Sequence, residues 1–162
     1  MTLEGPNRPE PQSLTLGNKT TSIVVLDLSR RCENPQEVCS ILMTPLAEFL
    51  ERARQASVPI LYTISAAGKG TPLGEVAAPL KRRESEPVLY PDAFDKFMGG
   101  ALKAELDKRH CCSLIIVGSA TNFAVLYTAT TAARIFRYDV VIPLDGVNAK
   151  RTYEHVNNVL LF

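Results

Sequence analysis

Aliphatic runs of strand length alternate with segments of helical periodicity, and this alternation is the feature that most limits the fold of the chain. The runs occupy residues 22–28, 58–64, 113–118 and 138–143, with a shorter run at 88–90. Runs of β-branched and aliphatic residues without polar alternation are typical of parallel strands that are buried on both faces. The sequence therefore predicts an α/β fold, a three-layer αβα sandwich with a doubly wound, mainly parallel sheet.

Helical segments fill the intervals between these runs. Apolar residues at steps of three and four positions predict helices over 35–56, 97–110, 121–137 and 149–162. Residues 1–20 contain several prolines and glycines and few bulky apolar side chains, which predicts an extended N-terminal arm before a domain of residues 21–162. Folds of this class often add one more strand, so we expect a last strand to be missing.

Composition and charge exclude several classes of function. The 162 residues include 18 Lys or Arg and 17 Asp or Glu, which leaves a formal net charge of +1. A nucleic-acid-binding protein usually carries a basic patch, and a membrane span needs about 20 apolar residues. The sequence has neither feature and no secretion signal at its start. We therefore expect a cytoplasmic protein that binds neither nucleic acid nor a membrane.

The cysteines and histidines show no pattern typical of a scaffold or a metal site. Four cysteines are too few for a disulfide scaffold and contain no C-x-x-C pair. With two histidines, they do not form a zinc cluster, so the sequence predicts no metal and no cofactor. His110 precedes the fourth strand and His155 lies on the last helix. Both histidines are interpreted as surface or packing residues.

Two segments reach the edge of the predicted sheet where ligands bind in open α/β folds, outside the carboxyl ends of the strands. Asp27 ends the first run, and the turn 118–125, GSATNFAV, follows the fourth. Asp27 is a candidate for proton transfer, but it is equally suited to accepting N–H bonds from a loop. The turn suits both a ligand and a helix cap. We expect its ligand contacts to come from Ser119, Ala120, Thr121 and Asn122.

A set of motifs runs in order from about residue 20 to residue 160. They are IVVLDLSRRCE, VPILYT, PDAF, LIIVGSATNFAVLYTATTAA and YDVVIPLDGV. Together they resemble the isochorismatase-like cysteine hydrolases, which include nicotinamidase, N-carbamoylsarcosine amidase and isochorismatase. The most specific motif is G-x-A-T-N-x-x-V-x-x-T-A. The resemblance implies the same α/β fold, a small-molecule ligand, and a homodimer or higher homo-oligomer.

The resemblance also implies an Asp, a Lys and a Cys as catalytic groups, with the thiolate attacking a carbonyl. Asp27 matches the Asp, whereas Ala124 stands at the nucleophile position and Val88 at the Lys position. The site is therefore predicted to be degenerate. Lys96 is an alternative lysine from a shifted register, although its position also suits a solvated lysine at a helix end.

Two further expectations concern the pocket. Cys32 follows Asp27 where relatives carry an aromatic residue that lines the pocket, so it is a relocated nucleophile, a thiol of the pocket wall or a buried thiol. Phe94 of the PDAF motif is expected to contact the ligand. The family resemblance implies a cis peptide bond before the Thr of the signature, which is predicted here between Ala120 and Thr121.

These observations predict a family member that is inactive or weakly active as a cysteine hydrolase and that binds a small carbonyl or carboxylate ligand. One alternative is a thiol-independent hydrolase in which Asp27 acts as general base on an activated ether or ester. Another is a non-catalytic oligomeric binding subunit. Replacement of a natural cysteine by Ala124 is a further explanation, but it leaves Val88 unexplained.

Overall fold

The computed structural model describes residue 10 and residues 12–159. Its strands are β1 (Thr21–Leu26), β2 (Ile60–Thr63), β3 (Val88–Leu89), β4 (Ser113–Ser119), β5 (Asp139–Val141) and β6 (Val147–Asn148). Its α-helices are α1 (Met43–Gln55), α2 (Ala101–Asp107), α3 (Leu126–Thr130) and α4 (Thr152–Val159), and π-helical turns at Thr121–Val125 and Thr131–Ile135 extend α3. Half of the predicted arm (residues 1–9 and 11) and the end of the predicted terminal helix (residues 160–162) lie outside the described residues.

The strands form one parallel sheet in the order β3-β2-β1-β4-β5, with β6 paired beside the end of β4. This arrangement confirms the predicted α/β fold. The chain moves outward from β1 to β3 and then crosses to β4 on the other side of β1. Ligands of doubly wound sheets bind at such a reversal of strand order. Leu26 pairs with Gly118 in the register, so Asp27 and Ser119 emerge side by side at this point.

The core lies on both faces of the sheet. Side chains alternate along β1, so that Ile23 and Val25 pack in the cluster that contains Leu50 of α1, on one face. On the opposite face, Val24 and Leu26 pack in the cluster that contains α2 and the α3 region. A strand that is covered on both faces explains why its sequence is continuously apolar.

The helices are shorter than the periodicity predicted. The segment 35–56 is a regular α-helix only from Met43, after 3₁₀ turns at Arg30–Glu33 and Val38–Leu42. Pro45 lies in the first turn of α1 and does not interrupt the helix. The N–H groups of a first turn have no carbonyl partner within the helix, so the N–H that proline lacks costs no helical hydrogen bond. The last helix begins at Thr152, three residues after the predicted start, and the short strand β6 precedes it at Val147–Asn148. Within the described part of the chain, no helix has the length and apolar character needed to cross a membrane.

Candidate functional site

A cavity of about 730 Å³ lies at the edge of the sheet where β1 and β4 end. The strand ends and the turn after β4 form its floor, the segment between β1 and α1 forms one wall, and aromatic side chains border its mouth. The lining residues include Asp27, Ser29, Arg31, Gln36, Glu37, Val38, Cys39, Phe94, Ser119, Ala120, Phe123, Ala124 and Lys150. The structure therefore brings together several of the residues that the sequence singled out from separate parts of the chain.

Asp27 is the first residue after β1, and its backbone takes the left-handed conformation with φ of 54°. Asp tolerates this conformation better than most residues, and it turns the chain sharply out of the strand. The Asp27 N–H still donates to the Thr63 carbonyl oxygen at 2.9 Å, which extends the pairing with β2 by one residue. The carboxylate is thus held at the cavity floor by the end of the sheet.

Lys96 lies directly against the Asp27 carboxylate. Its Nζ is 2.7 Å from Oδ2 and 3.0 Å from Oδ1 of Asp27, and it also donates to the Ala93 carbonyl oxygen at 3.2 Å. The Lys96 side chain is only 1% exposed, whereas the Asp27 side chain is 20% exposed. A buried ammonium needs such a full set of acceptors. The interpretation of Lys96 as a solvated lysine at a helix end is therefore wrong.

The loop after β3 carries Lys96 to this place because it is tied to the α3 region. The Lys96 N–H donates to Thr128 Oγ1 at 3.1 Å, and Thr131 Oγ1 donates to Asp95 Oδ2 at 2.7 Å. Both bonds join the loop to residues more than 30 positions later in the chain. The spacing of residues within the loop therefore does not predict that Lys96 reaches Asp27.

Val88, which the family resemblance placed at the lysine position, lies elsewhere. It pairs with Tyr62 in the sheet and packs against the core cluster on the α1 face. It borders a separate surface depression with Tyr90 and Lys81 and is not among the residues that line the main cavity. The inference from Val88 that a lysine is missing beside Asp27 is therefore wrong, since Lys96 takes this place.

Ala124 lies in the π-helical turn after β4, is buried, and lines the cavity. Its methyl group stands where the resemblance implies a nucleophilic thiol. The cis peptide bond of this turn joins Ser119 and Ala120. The predicted position between Ala120 and Thr121 is wrong by one residue.

Thr121 and Asn122 are not brought to the cavity wall. Thr121 is fully buried and its Oγ1 lies 2.9 Å from Nδ1 of His155, so it ties the turn to α4. His155 is thus the packing residue that was expected. Asn122 is half-buried, and its Oδ1 has no hydrogen-bond partner among the described residues.

The cysteines are arranged differently from the prediction. Cys32 and Cys39 form a disulfide, so Cys32 is neither a free thiol nor a relocated nucleophile, and Cys39 is the half-cystine that lines the cavity. Sequence spacing missed the pair because the seven-residue separation follows no common motif. Cys111 and Cys112 are free and precede β4, at the opposite end of the sheet. Burial raises the pKa of the Cys111 thiol.

Aromatic rings border the cavity mouth. Phe94 stacks on Phe123 with ring centroids 4.9 Å apart, and Tyr127 follows at 6.4 Å from Phe94. Phe94 and Phe123 line the cavity and are both exposed. Phe94 therefore has the place that the sequence predicted for it, and Phe123 is a lining residue that the sequence did not single out.

Charges within the cavity are mostly paired. Asp27 is balanced by Lys96, and Arg31 is balanced by Glu37 at 2.8 Å. Lys150 lines the cavity and is in no ion pair with another residue of the described chain. In the ranges that the structure describes, no three His, Cys, Asp or Glu side chains are grouped to hold a metal ion. The absence of a metal stays a prediction.

A family model named Isochorismatase domain matches residues 21–160, which is most of the chain. The chain belongs to the isochorismatase family. This confirms the resemblance inferred from the motifs. No curated protein sequence matches this family member.

Several solved structures share the fold of this isochorismatase-family chain. An isochorismatase family protein from Desulfovibrio vulgaris subsp. vulgaris str. Hildenborough is 22% identical with a TM-score of 0.78, covering 88% of this chain and 89% of its own. A nicotinamidase from Staphylococcus aureus is 18% identical with a TM-score of 0.72, and the match covers 86% of this chain and 90% of the nicotinamidase. A putative hydrolase of the isochorismatase family from Chromobacterium violaceum is 17% identical with a TM-score of 0.78, and the match covers 94% of this chain and 89% of the hydrolase. At these identities the similarity concerns the fold alone.

Proposed function

We propose that this isochorismatase-family protein binds a small carboxylate or carbonyl compound in the cavity and does not act as a cysteine hydrolase. The observation that carries the proposal is Ala124, because a methyl group cannot attack a carbonyl carbon. No other cysteine offers a thiol at the cavity. Cys32 and Cys39 are bonded to each other, and Cys111 and Cys112 lie a strand length away, roughly 20 Å.

The charges of the cavity favour an anionic ligand. The Asp27–Lys96 and Arg31–Glu37 pairs are each neutral, which leaves the exposed Lys150 ammonium as the uncompensated charge at the wall. A single carboxylate on the ligand would complete the charge balance, while Phe94 and Phe123 offer apolar surface at the mouth. The ligand class that fits these features is a small monocarboxylate, with a ring or other apolar part.

The proposal is tested by binding and turnover with the same protein. We expect no hydrolysis of nicotinamide, N-carbamoyl amides, isochorismate or simple amides. In titration calorimetry, benzoate should bind more tightly than benzamide, and Lys150→Glu should remove this preference. Lys69→Glu is the matched control because Lys69 is exposed but does not line the cavity. Amide turnover that Asp27→Asn abolishes would refute the proposal.

A second function is favoured by the Asp27–Lys96 pair, which retains a base and a cation at the cavity floor. In a thiol-independent hydrolase, Asp27 would take a proton from water as the water oxygen bonds to the carbonyl carbon of an activated ester and the carbonyl π pair moves to its oxygen. Collapse of this tetrahedral intermediate would then re-form the carbonyl, break the bond to the leaving-group oxygen and return the proton from Asp27 to it. The Lys96 ammonium would hold the Asp27 carboxylate in place from its buried side. General base catalysis contributes about 10²- to 10⁴-fold, which suits an activated ester or ether rather than a stable amide. Hydrolysis of 4-nitrophenyl acetate should then be lost in Asp27→Asn.

Assembly and location are further parts of the proposal. A homodimer or higher oligomer would place the exposed rings of Phe94, Phe123 and Tyr127 against a neighbouring subunit, as a binding subunit requires. Sedimentation at micromolar concentration tests this, and a monomer would contradict it. The cytoplasmic location inferred from the sequence also stays a prediction, which fractionation of cells that express the protein would test.

A further inference from the structure

One wall of the cavity is cross-linked within itself by a disulfide whose two half-cystines pack in the core. This wall comprises residues 30–41, all of which the structure describes, and it contributes Arg31, Gln36, Glu37, Val38 and Cys39 to the lining. Within it, Cys32 and Cys39 are the only fully buried residues. Both belong to the hydrophobic cluster on the α1 face. The disulfide between them therefore anchors a segment whose other side chains are exposed or half-buried.

The other interactions that hold the wall are few and mostly exposed. Arg30 pairs with Glu75 at 3.1 Å, and both side chains are solvent-exposed, so this pair contributes little. The Ala78 N–H donates to Glu33 Oε1, and Asn148 Nδ2 donates to the Val38 carbonyl oxygen at 2.6 Å. The Arg31–Glu37 pair lies within the wall and depends on its shape. None of these contacts buries apolar surface in the way the two half-cystines do.

We propose that the Cys32–Cys39 disulfide makes the cavity redox-sensitive, with the wall ordered when the bridge is oxidised and loosened when it is reduced. A dithiol is the class of reductant required. Its two thiols lose two electrons and two protons and form a disulfide, while the Cys32–Cys39 bond breaks and each sulfur gains one electron and one proton. As a statement about ligand binding, this inference rests on the proposed function.

Two consequences link the bridge to the site. Cys39 borders the cavity, and Cys32 Sγ lies 4.0 Å from the Asp27 carbonyl oxygen, so the bridge lies between the cavity and the residue that follows β1. Opening the bridge frees Arg31 and Glu37 to separate, which changes both the shape and the charge of the cavity. Thioredoxin-type dithiols keep such bridges open in a reducing cytosol, so an oxidising environment would close the wall.

The first arm of the test does not use a ligand. Hydrogen exchange of residues 30–41 is compared in oxidised protein, in protein reduced with dithiothreitol, and in the Cys32→Ser/Cys39→Ser variant. The matched control is Cys111→Ser/Cys112→Ser, which removes the free cysteines at the far end of the sheet. We expect the exchange rate of the wall to rise on the order of tenfold or more in reduced protein and in Cys32→Ser/Cys39→Ser, because both lose a disulfide that closes a short loop. The control variant should exchange like the oxidised protein. If Cys32→Ser/Cys39→Ser does not fold, oxidised protein is compared with reduced wild-type protein whose circular dichroism spectrum is unchanged.

The second arm measures benzoate affinity in the oxidised and reduced states. Weaker binding after reduction supports the inference. If no binding occurs in either state while exchange rises, the proposed function fails but the redox-sensitive wall stands. Equal protection of residues 30–41 in both states overturns the inference. So does alkylation of all four cysteines in unfolded, oxidant-treated protein, because it means that no bridge has formed.

Discussion

Lys96 Nζ lies 2.7 Å from Asp27 Oδ2 although the two residues are 69 positions apart in the chain. The lysine is buried beneath the carboxylate, and the carboxylate separates it from the cavity. The pair therefore has an asymmetric environment. Its buried member depends on its partner for compensation, whereas its partly exposed member retains access to water.

This asymmetry predicts unequal effects of removing either partner. Asp27→Asn should lower the free energy of unfolding by about 3 kcal/mol or more, because it leaves an ammonium buried without its counter-charge. Lys96→Met should cost less, since the Asp27 carboxylate reaches solvent and the methionine fills the space. The double variant should be more stable than Asp27→Asn alone. Urea unfolding measures all three, and equal losses for the single variants would contradict the explanation.

Restoring a thiol at position 124 should create a reactive cysteine. A thiol at position 124, in the first turn after β4, would line the same cavity as Asp27, and a helix N-terminus favours the thiolate. In a Cys111→Ser/Cys112→Ser background, we expect Ala124→Cys to react with iodoacetamide near neutral pH faster than Ala133→Cys. Ala133 is half-buried near the far end of the same helical segment. Equal rates measured by mass spectrometry would mean that the site does not activate a thiol.

Gly118 is required where β4 passes β1. Its φ is 132°, and an added Cβ would lie 2.1 Å from the Leu26 carbonyl oxygen. Gly118→Ala should therefore lower the free energy of unfolding by about 4 kcal/mol or more, or prevent folding. Gly70→Ala is the control, since φ there is also positive but no atom lies within 4 Å of the added Cβ. It should cost only about 1–2 kcal/mol. Similar losses in chemical denaturation would contradict the close approach at Gly118.

Stability should fall at alkaline pH through Tyr138. Burial raises the pKa of Tyr138 from 10.0 to about 12. The unfolded phenol ionises at lower pH than the folded one, so this stability is fully present below pH 10 and is lost as the pH rises towards 12. Tyr138→Phe should flatten the decline measured by denaturant unfolding, while Tyr153→Phe, at an exposed position, should not. An unchanged slope in Tyr138→Phe would exclude this cause.

Local sequence pattern was enough to predict the order of the strands and helices other than β6, and much of the site. Continuous apolar runs identify strands covered on both faces, and parallel strands deliver their carboxyl ends to one edge, so Asp27, Ser119, Ala120 and Ala124 were found from local pattern and motif. Phe94 was found in the same way, from the PDAF motif.

The partners of these residues depend on how distant parts of the chain pack together. Lys96 reaches Asp27 because Thr128 and Thr131, more than 30 positions later, hold the loop that carries it. Cys39 bonds to Cys32 because two 3₁₀ turns fold the wall back on itself. Ion pairs and disulfides depend on distances in space, and where the chain follows an irregular loop, residue spacing does not determine those distances. For this reason the motifs gave the correct positions of the strand-end residues, whereas they assigned the lysine position to Val88 instead of Lys96.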